Sequence, residues 1–266
     1  MDLSIIIVSF NTKKLLKRCL ESLPAKAEVI VVDNGSTDGT LEMLKVFKDS
    51  KKKMLKVIEN KDNLGFAKAV NQGLKQAKGK YLLLLNSDIF AQKNAFEELV
   101  DFAEKQPKLG VVGGALLNPN GSSQGSCFYL PSLIRAIKEF WFNGPATLNK
   151  YTPSGDQPVE VEAVMGAVFL IPKKVLKQVG FFNENYFMYF EDLDYCRRVR
   201  KNGFKVYYLP EAKFIHEHGA SGRSIPGQTH RWLVESSKIY HGLMKYYLIT
   251  AVIWLGQKCR KILKKN

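Results

Sequence analysis

A carboxylate directly follows the most apolar strand that the sequence predicts. Residues 81–85 are large apolar or aromatic side chains, and Asn86-Ser87-Asp88 follows them. Such a run indicates a strand buried on both faces. In open α/β sheets, ligands bind beyond the carboxyl ends of the strands, so Asp88 is placed to bind a substrate or a metal ion. The alternative is that Asp88 only caps the helix predicted from about Lys93.

A second group of carboxylates, Glu191-Asp192-Leu193-Asp194, opens a predicted helix that ends at Gly203. Helical spacing puts Asp192 on the same stripe as the apolar residues at positions 196 and 199, so we expect it to point toward the core. It could simply cap the helix. It could instead be a general base that takes a proton from a substrate hydroxyl, with a pKa that the helix amides keep low and proximity in a closed site to compensate.

Two histidines, His216 and His218, follow a predicted short strand over residues 213–215. A histidine at a strand end is more often structural than a ligand. An imidazole together with the Asp88 carboxylate would nevertheless suit a divalent cation such as Mn or Mg, with diphosphate and water as the remaining ligands.

The elements that must position these groups alternate strand and helix from the start of the chain. Strands are predicted over residues 3–10, 28–32 and 57–58, with amphipathic helices between them. This alternation is typical of a parallel sheet with helical crossovers. Asp33 follows the second strand in a turn rich in glycine and aspartate, and Gly65 lies in the turn that begins the third helix.

The second half of the chain is less regular. A strand is predicted over residues 110–117, followed by an irregular aromatic-rich segment, 122–157. We interpret this segment, which contains Trp141, as an acceptor-binding loop, with a packed helix over 134–142 as the alternative. A strand over 161–172 has Gly166 in its middle, which suggests a bulge or close contact with a ligand. A further strand over 204–209 is expected to end at Pro210.

Composition limits the class of protein. The chain has 266 residues, 45% of them hydrophobic, and a formal net charge of +15 that favours anionic partners. Four widely spaced cysteines fit neither a zinc ribbon nor a disulfide scaffold and predict a reducing, cytoplasmic location. No apolar run reaches the length of about 18 residues that a membrane span requires.

The C-terminal segment, 226–266, is predicted to be helical and basic. Its apolar run over residues 248–255 is followed by five lysines and arginines between positions 258 and 265. This pattern suits a helix at an anionic membrane surface. The alternative is a helix that packs on the catalytic domain or on the partner in a homodimer.

Four motifs in order, SIIIVSFN, VVDNGSTDGT, NLGFAKAVNQG and LLLLNSD, resemble the nucleotide-sugar-binding half of family 2 inverting glycosyltransferases with the GT-A fold, particularly the rhamnosyltransferase-like branch. The segment from MGAVFLIPKK to FIHEHGAS is similar to the catalytic half of that branch. The matches cover roughly residues 3–225, and several motifs in register are more specific than any one of them. One departure is that the acidic-x-acidic metal motif of the family is Asn86-Ser87-Asp88 here, with a single carboxylate.

The resemblance implies an α/β fold with a mostly parallel, Rossmann-like sheet. It divides the chain into a donor half at 1–117, an acceptor and catalytic half at 118–225, and the helical segment at 226–266. It assigns Asp192 as the base with Glu191 as its supporting neighbour, and Asp88 with His216, or alternatively His218, as metal ligands. Acceptor contacts are expected from Gly166 and Trp141. The nucleotide-sugar site is expected to contain Val8, Ser9, Phe10, Asp33, Asn63, Gly65, Asn86, Ser87 and Asp88.

The function that follows is an inverting transfer of rhamnose or another hexose from a nucleotide-diphosphate donor to a glycan or lipid-linked acceptor in cell-surface polysaccharide synthesis. The enzyme would be cytoplasmic, at the inner face of the membrane. A nucleotidyltransferase is the first alternative, but VSFNTKK after the first strand lacks the glycines of a triphosphate loop. A nucleic-acid-binding protein would explain the charge but leaves Asp88 and Asp192 without a role, so no nucleic-acid partner is expected.

Overall fold

The computed structural model describes residues 2–50, 55–142, 144, 149–217 and 226–263, and these build a mixed α/β fold. The helices are α1 Lys13–Ser22, α2 Thr40–Ser50, α3 Phe66–Gln76, α4 Ala95–Lys105, α5 Leu133–Trp141, α6 Lys173–Val179, α7 Glu191–Lys201, α8 Pro226–His241 and α9 Leu243–Leu263. The strands are β1 Leu3–Ser9, β2 Glu28–Asp33, β3 Leu55–Glu59, β4 Tyr81–Asn86, β5 Ile89–Ala91, β6 Leu109–Leu117, β7 Ser123–Gln124, β8 Cys127–Phe128, β9 Val159–Val161, β10 Ala163–Val164, β11 Val168–Pro172 and β12 Lys205–His216.

The main sheet of the described residues has the order β3-β2-β1-β4-β11-β6-β12-β5, with β7 added to β6 and β9 to β12. The pairs β3-β2, β2-β1 and β1-β4 are parallel, as the sequence predicts. β11 runs antiparallel to both β4 and β6, and β12 is parallel to β6. Strands β4, β6 and β12 therefore all end at one edge of the sheet, where β11 begins.

Helices cover both faces of this sheet. Side chains of α1, α2 and α4, such as Leu16, Leu44 and Leu99, pack with Ile5 and Ile7 of β1 on one face. Side chains of α3, α6 and α7 pack with Ile6 on the other face. Because alternate residues of a strand point to opposite faces, both sides of β1 are apolar.

Two strand predictions in the second half are wrong. Residues 161–172 do not form one strand, because the chain turns at Gly166 and Ala167 between β10 and β11. An apolar run does not show where a buried strand breaks. Pro210 does not end a strand either, since β12 continues through it to His216. The register of β12 on β6 shifts between Leu209 and Lys213, so the missing amide of proline falls in an irregularity of the ladder.

Three smaller features differ in detail from expectation. The aromatic-rich segment contains helix α5, so the helix alternative for residues 134–142 is confirmed. The helix expected from Lys93 begins at Ala95, because the short strand β5 intervenes after β4. The C-terminal helix is broken at Gly242, whose φ of 76° requires the left-handed conformation that glycine tolerates best.

A buried asparagine on α3 connects the two halves of the chain. Asn71 is 1% exposed, and its Nδ2 donates to the Phe182 carbonyl at 2.9 Å while its Oδ1 accepts from the Phe182 amide at 3.0 Å. Nδ2 also donates to Glu184 Oε1 at 3.0 Å. These bonds fix the start of the segment that leads to α7.

We expect Asn71→Ala to lower the free energy of unfolding by about 2 to 4 kcal/mol, because it leaves a buried amide and a buried carbonyl without partners. Urea denaturation measures this change. The exposed Asn149 offers a matched control, since Asn149→Ala should cost much less. Equal stabilities of the two variants would contradict the anchoring role.

Candidate active site

Several of the predicted nucleotide-sugar residues lie side by side at the carboxyl ends of the parallel strands. Ser9 pairs with Asp33 across β1 and β2, and Val8 pairs with Asn86 across β1 and β4. β1 lies between β2 and β4, where the order of the strands reverses, which is the usual ligand crevice of such sheets. Phe10 follows directly and is half-buried.

A chain of buried hydroxyl groups joins the ends of β1 and β4. Ser9 Oγ lies 3.0 Å from Thr12 Oγ1, and Thr12 Oγ1 donates to Ser87 Oγ at 3.0 Å. All three side chains are buried. Ser9 and Ser87 therefore shape the floor of the crevice through Thr12, a residue that the sequence analysis does not identify.

Asp33 is fully buried at the end of β2. Its Oδ2 accepts from the Ser36 amide at 3.0 Å, which orders the glycine-rich turn. Its Oδ1 has no hydrogen-bond partner among the described residues. A buried acceptor without a donor is uncommon and costs free energy unless a ligand supplies the donor.

Asn63 orders the turn before α3 and reaches the end of β2. Its Oδ1 accepts from Asn34 Nδ2 at 2.9 Å and from the Gly65 amide at 3.0 Å. Gly65 has a φ of 86°, and a Cβ there would lie 2.7 Å from the Phe187 carbonyl oxygen. The next amide, of Phe66, donates to that same carbonyl at 2.7 Å. The turn thus holds the segment that precedes Asp192.

Asp88 and His216 lie together, as the sequence analysis predicts. His216 is at the carboxyl end of β12 and pairs with Ile89 of β5, the residue after Asp88. Its Nε2 is 3.5 Å from Asp88 Oδ1, and both residues are buried. The distance follows from the topology, because β4 and β12 end at the same edge and β5 returns from β4 to pair with β12.

Gln124 sets the orientation of the His216 ring. Gln124 Nε2 donates to Asn118 Oδ1 at 3.0 Å, so its Oε1 is the atom that faces His216 Nδ1, at 2.5 Å. An amide oxygen can only accept, so Nδ1 donates to Gln124 and Nε2 is the ring nitrogen that faces Asp88. A carboxylate oxygen and an imidazole nitrogen side by side fit a shared cation.

These two side chains fit a divalent cation that takes its other ligands from substrate and water. No cluster of three or more histidine, cysteine, aspartate or glutamate residues suited to a metal occurs in the part of the chain that the structure describes. Hydrogen bonding of the second imidazole nitrogen to Gln124 is typical of metal-binding histidines. His218, the alternate ligand, lies outside the described residues.

Asp192 lies in the first turn of α7, with its carboxylate held by two amides. Oδ2 accepts from the Gly166 amide at 3.0 Å, and Oδ1 accepts from the Leu193 amide at 2.8 Å. A Cβ at Gly166 would lie 3.4 Å from Asp192 Cβ, an ordinary van der Waals distance, so the two residues are in direct contact. The bulge suggested by Gly166 is in fact a turn that binds the candidate base.

One expectation for Asp192 is wrong. Its side chain is partly exposed, but its carboxylate points to the Gly166 turn at the end of the sheet, which agrees with the helical stripe. Its pKa, however, is not low. Burial raises the pKa of Asp192, and this effect exceeds the lowering by the Gly166 and Leu193 amides and by the charge of Lys150. A raised pKa makes a carboxylate a stronger base.

Glu191 is buried beside Asp192 without a charged partner. Its Oε2 has no hydrogen-bond partner within the described ranges. Burial, and then the charge of Asp192, raise the pKa of Glu191 from 4.5 to about 8. The two carboxyl groups therefore form an acidic pair that resists full ionisation.

Backbone strain marks the entrance to α7. Tyr189 and Phe190, which directly precede the pair, have φ angles of 73° and 67°. Such conformations cost about 1 to 3 kcal/mol each in residues other than glycine and persist when surrounding contacts enforce them. Phe190 packs on Tyr240 of α8, and Phe187 packs on Trp232 with ring centroids 4.7 Å apart.

The Gly166–Ala167 turn joins the two carboxylate sites. The Gly166 amide binds Asp192, and the carbonyl of Ala167 accepts from the amide of Asn86 at 3.0 Å, two residues before Asp88. Trp141 belongs to a different contact, since its Nε1 donates to the Val252 carbonyl of α9 at 3.2 Å. Contact between Trp141 and the acceptor substrate stays a prediction.

Lys150 and Gln124 are site residues that the sequence analysis does not identify. Both lie in the irregular segment 122–157, where no periodicity predicts the direction of a side chain. The segment itself was marked as a binding loop, which is the available signal. Folding brings Gln124 onto His216 and the charge of Lys150 near Asp192.

The acidic pair predicts a pH-dependent stability. Between about pH 5 and pH 8 the unfolded chain releases the Glu191 proton while the folded chain retains it, so stability falls as the pH rises. We expect Glu191→Gln to flatten this fall, as measured by urea denaturation across that range. Asp192, whose pKa is also raised, accounts for a remaining slope.

The control for this experiment is Glu97→Gln, at an exposed position of α4. It should leave the pH profile of the wild type unchanged. If Glu191→Gln and the wild type lose stability in parallel between these pH values, Glu191 is not the protonated group.

Comparison with known proteins identifies the family. The family model for glycosyl transferase family 2 matches residues 4–151, and that for glycosyl transferase family group 2 matches residues 81–263. The N-acetylglucosaminyl-diphospho-decaprenol L-rhamnosyltransferase of Mycobacterium tuberculosis is 30% identical over 241 residues, which cover 82% of this chain and 77% of the relative.

Two solved structures show the same fold at low identity. GalNAc-T7 with UDP, GalNAc and Mn2+ gives a TM-score of 0.66 at 19% identity, covering 80% of this chain and 43% of that one. The mannosyltransferase PcManGT from Pyrobaculum calidifontis, with GDP-Man and Mn2+, gives a TM-score of 0.61 at 17% identity. The match covers 92% of this chain and 63% of that one. This chain therefore spans less than two thirds of either protein. The two family models and the 30% identical relative show that the chain belongs to glycosyl transferase family 2 and is a rhamnosyltransferase-like glycosyltransferase with the GT-A fold.

Proposed function

We propose that this enzyme transfers rhamnose or a related hexose, with inversion, from a nucleotide-diphosphate donor to a lipid-linked sugar acceptor in cell-surface polysaccharide synthesis. The relative from Mycobacterium tuberculosis, whose name specifies rhamnosyl transfer to a lipid-linked sugar, supports this choice of substrates. Family membership favours glycosyl transfer over the nucleotidyltransferase and nucleic-acid alternatives. Residues 1–117 would bind the donor and 118–225 the acceptor.

One observation carries the proposal. A single turn, Gly166–Ala167, places the amide-bound carboxylate of Asp192 next to the strand end that carries Asp88. The Asp192 carboxylate has a raised pKa and amide partners, and the Asp88 carboxylate lies 3.5 Å from His216 Nε2. A base and an anion-neutralising site at one edge of a sheet are the two parts that a direct displacement needs.

Asp192 acts as the general base in this mechanism. Its carboxylate accepts the proton of the acceptor hydroxyl while that oxygen attacks the anomeric carbon of the donor sugar. The bond between the anomeric carbon and the diphosphate oxygen breaks on the opposite face, and the bond electrons leave with the diphosphate. The new glycosidic bond therefore has the opposite anomeric configuration. The Gly166 and Leu193 amides keep the carboxylate in place during the step.

Asp88 and His216 would hold a divalent cation, Mn or Mg, with Gln124 fixing the imidazole. When bound, such a cation neutralises negative charge on the diphosphate leaving group. The residues present fit this role as two of its ligands, and the diphosphate and water would complete the shell.

The nucleotide would lie over the ends of β1, β2 and β4. Asp33 Oδ1 is the buried hydrogen-bond acceptor to which an N–H group of the nucleobase could donate. Ser9 and Ser87 form the hydroxyl-lined floor with Thr12. The two structural neighbours contain a uridine and a guanosine nucleotide, so the nucleobase of the donor is best determined by a donor screen.

The cation site makes a prediction about binding that needs no turnover. We expect Mn2+, titrated in the presence of UDP or GDP and followed by electron paramagnetic resonance, to bind the wild type. Asp88→Ala and His216→Ala should abolish measurable binding, because each removes a ligand. Gln124→Ala should weaken binding by about ten- to a hundredfold, since it releases the ring.

His230→Ala, at an exposed position of α8, is the control and should bind Mn2+ as the wild type does. Unchanged binding by both ligand variants would remove Asp88 and His216 from the cation site. The general-base assignment would be unaffected by that outcome.

The base assignment predicts the effect of Asp192→Asn. This change keeps the shape of the side chain but prevents it from taking a proton, so transfer should fall by about two to four orders of magnitude. Donor affinity should persist. Measurements of nucleoside diphosphate release with a saccharide acceptor, together with the product configuration by NMR, test both the base and the inversion.

Asp101→Asn, an exposed aspartate on α4, should retain wild-type transfer. Near-normal transfer by Asp192→Asn would exclude Asp192 as the base. A product with the configuration of the donor would exclude inversion, whatever the effect of the substitution.

A further inference from the structure

Helix α9 is apolar on two faces, and only one of them is covered. The inner face packs on α5, where Gly256 approaches so closely that a Cβ would lie 2.7 Å from Phe140 Cβ. The bond from Trp141 to the Val252 carbonyl fixes this packing, and Arg260 binds the Glu139 carbonyl. The packed-helix alternative is therefore correct for this face.

The outer face is an exposed apolar stripe. Its large side chains lie on one side of the helix, in two groups before and after Ala251, and are between 45% and 75% exposed: Met244, Tyr247, Leu248, Trp254 and Leu255. Helix α5 adds Ile134 and Phe142, which are 67% and 76% exposed and line a shallow apolar groove of about 490 Å³. We call these side chains the α5–α9 face. Large apolar side chains that are exposed next to one another mark an interaction site.

The charge around this face is uniformly positive on α9. Residues 243–266 include six lysines and arginines and no aspartate or glutamate. Lys245 lies near the start of α9, and Lys258 lies one turn after Trp254, with its ammonium 3.9 Å from the Trp254 ring centroid. Lys138 of α5 lines the groove.

We propose that the α5–α9 face docks on an anionic lipid bilayer, with α9 lying in the plane of the interface. None of the helices in the described residues is long and apolar enough to cross a membrane. A helix with an exposed apolar stripe, flanking lysines and an aromatic side chain is suited to the boundary between headgroups and acyl chains. A second copy of this chain is a poorer partner, because its face would carry the same positive charge.

Contacts of α8 connect this face to the catalytic carboxylate. α8 joins α9 through Gly242, and its Ser236 Oγ donates to the Met188 carbonyl at 2.8 Å. Arg197 of α7 donates to the Tyr240 carbonyl at 3.1 Å. A bilayer held by α9 would thus be fixed relative to Asp192. This consequence rests on the proposed lipid-linked acceptor, whereas the docking itself does not.

Co-sedimentation of the full chain with phosphatidylcholine vesicles, with and without phosphatidylglycerol, tests the proposal. The wild type should bind the anionic vesicles, and brominated lipids should quench tryptophan fluorescence. Leu248→Glu/Leu255→Glu, at exposed positions, should reduce binding by at least about tenfold, because the substitutions place two charges among acyl chains. Raising the salt from about 0.1 M to about 1 M should weaken binding.

Two further variants sharpen the result. Val46→Glu, on the exposed side of α2, is the control and should bind as the wild type does. Lys245→Glu/Lys258→Glu keeps the stripe and should reduce selectivity for anionic vesicles by about tenfold or more. Circular dichroism and urea denaturation establish that each variant is folded.

Equal binding by the wild type and both double variants would overturn the proposal, as would failure of the wild type to bind. A dimer in light scattering that Leu248→Glu/Leu255→Glu dissociates would assign the face to a second copy instead. Transfer to a water-soluble acceptor should be the same for wild type and variants. Loss of vesicle binding with intact transfer therefore separates this proposal from the enzymatic one.

Discussion

The turn at Gly166 and Ala167 is the constraint on which the site depends. It exists because β11 enters the sheet antiparallel between β4 and β6, so its first residues lie at the edge where the parallel strands end. One amide of the turn binds Asp192 and one carbonyl binds Asn86. If β11 were parallel to β4, its last residues and not its first would lie at this edge. The Gly166–Ala167 turn would then not bind both Asp192 of α7 and Asn86 of β4.

Placing carboxylates at this edge is costly, and the C-terminal helices help to offset the cost. Tyr189 and Phe190 are strained by about 1 to 3 kcal/mol each, and the buried Glu191 has no counter-ion among the residues that the structure describes. Aromatic packing of Phe187 on Trp232 and of Phe190 on Tyr240 holds the segment from the α8 side. Pairs of this kind contribute about 0.5 to 1.5 kcal/mol beyond the area that they bury. α8 is therefore a structural part of the site.

The sequence predicts features that depend on local pattern and fails where tertiary contacts decide. Strand β4 and the placement of Asp88 follow from a continuous apolar run and its polar end. Only the family resemblance predicts that His216 lies beside Asp88, because the two residues are far apart in the sequence. The break of the strand at Gly166 and the passage of β12 through Pro210 depend on register with neighbouring strands. The contact of Asp192 with the Gly166 amide likewise joins residues that have no local relation.

Three carboxylates in the first turn of α7 acquire different roles because their partners differ. Asp194 binds Arg197 at 2.7 Å and Arg198 at 3.0 Å, so both of its oxygens are neutralised by guanidinium groups. Asp192 receives two amides, which orient it without a full positive charge in contact, and burial keeps its affinity for a proton high. Glu191 has an oxygen with no hydrogen-bond partner in the described part of the chain, and it holds its proton to a higher pH. A base must be oriented and still able to bind a proton, and these differences are the reason for proposing Asp192 rather than Glu191 or Asp194 as the base.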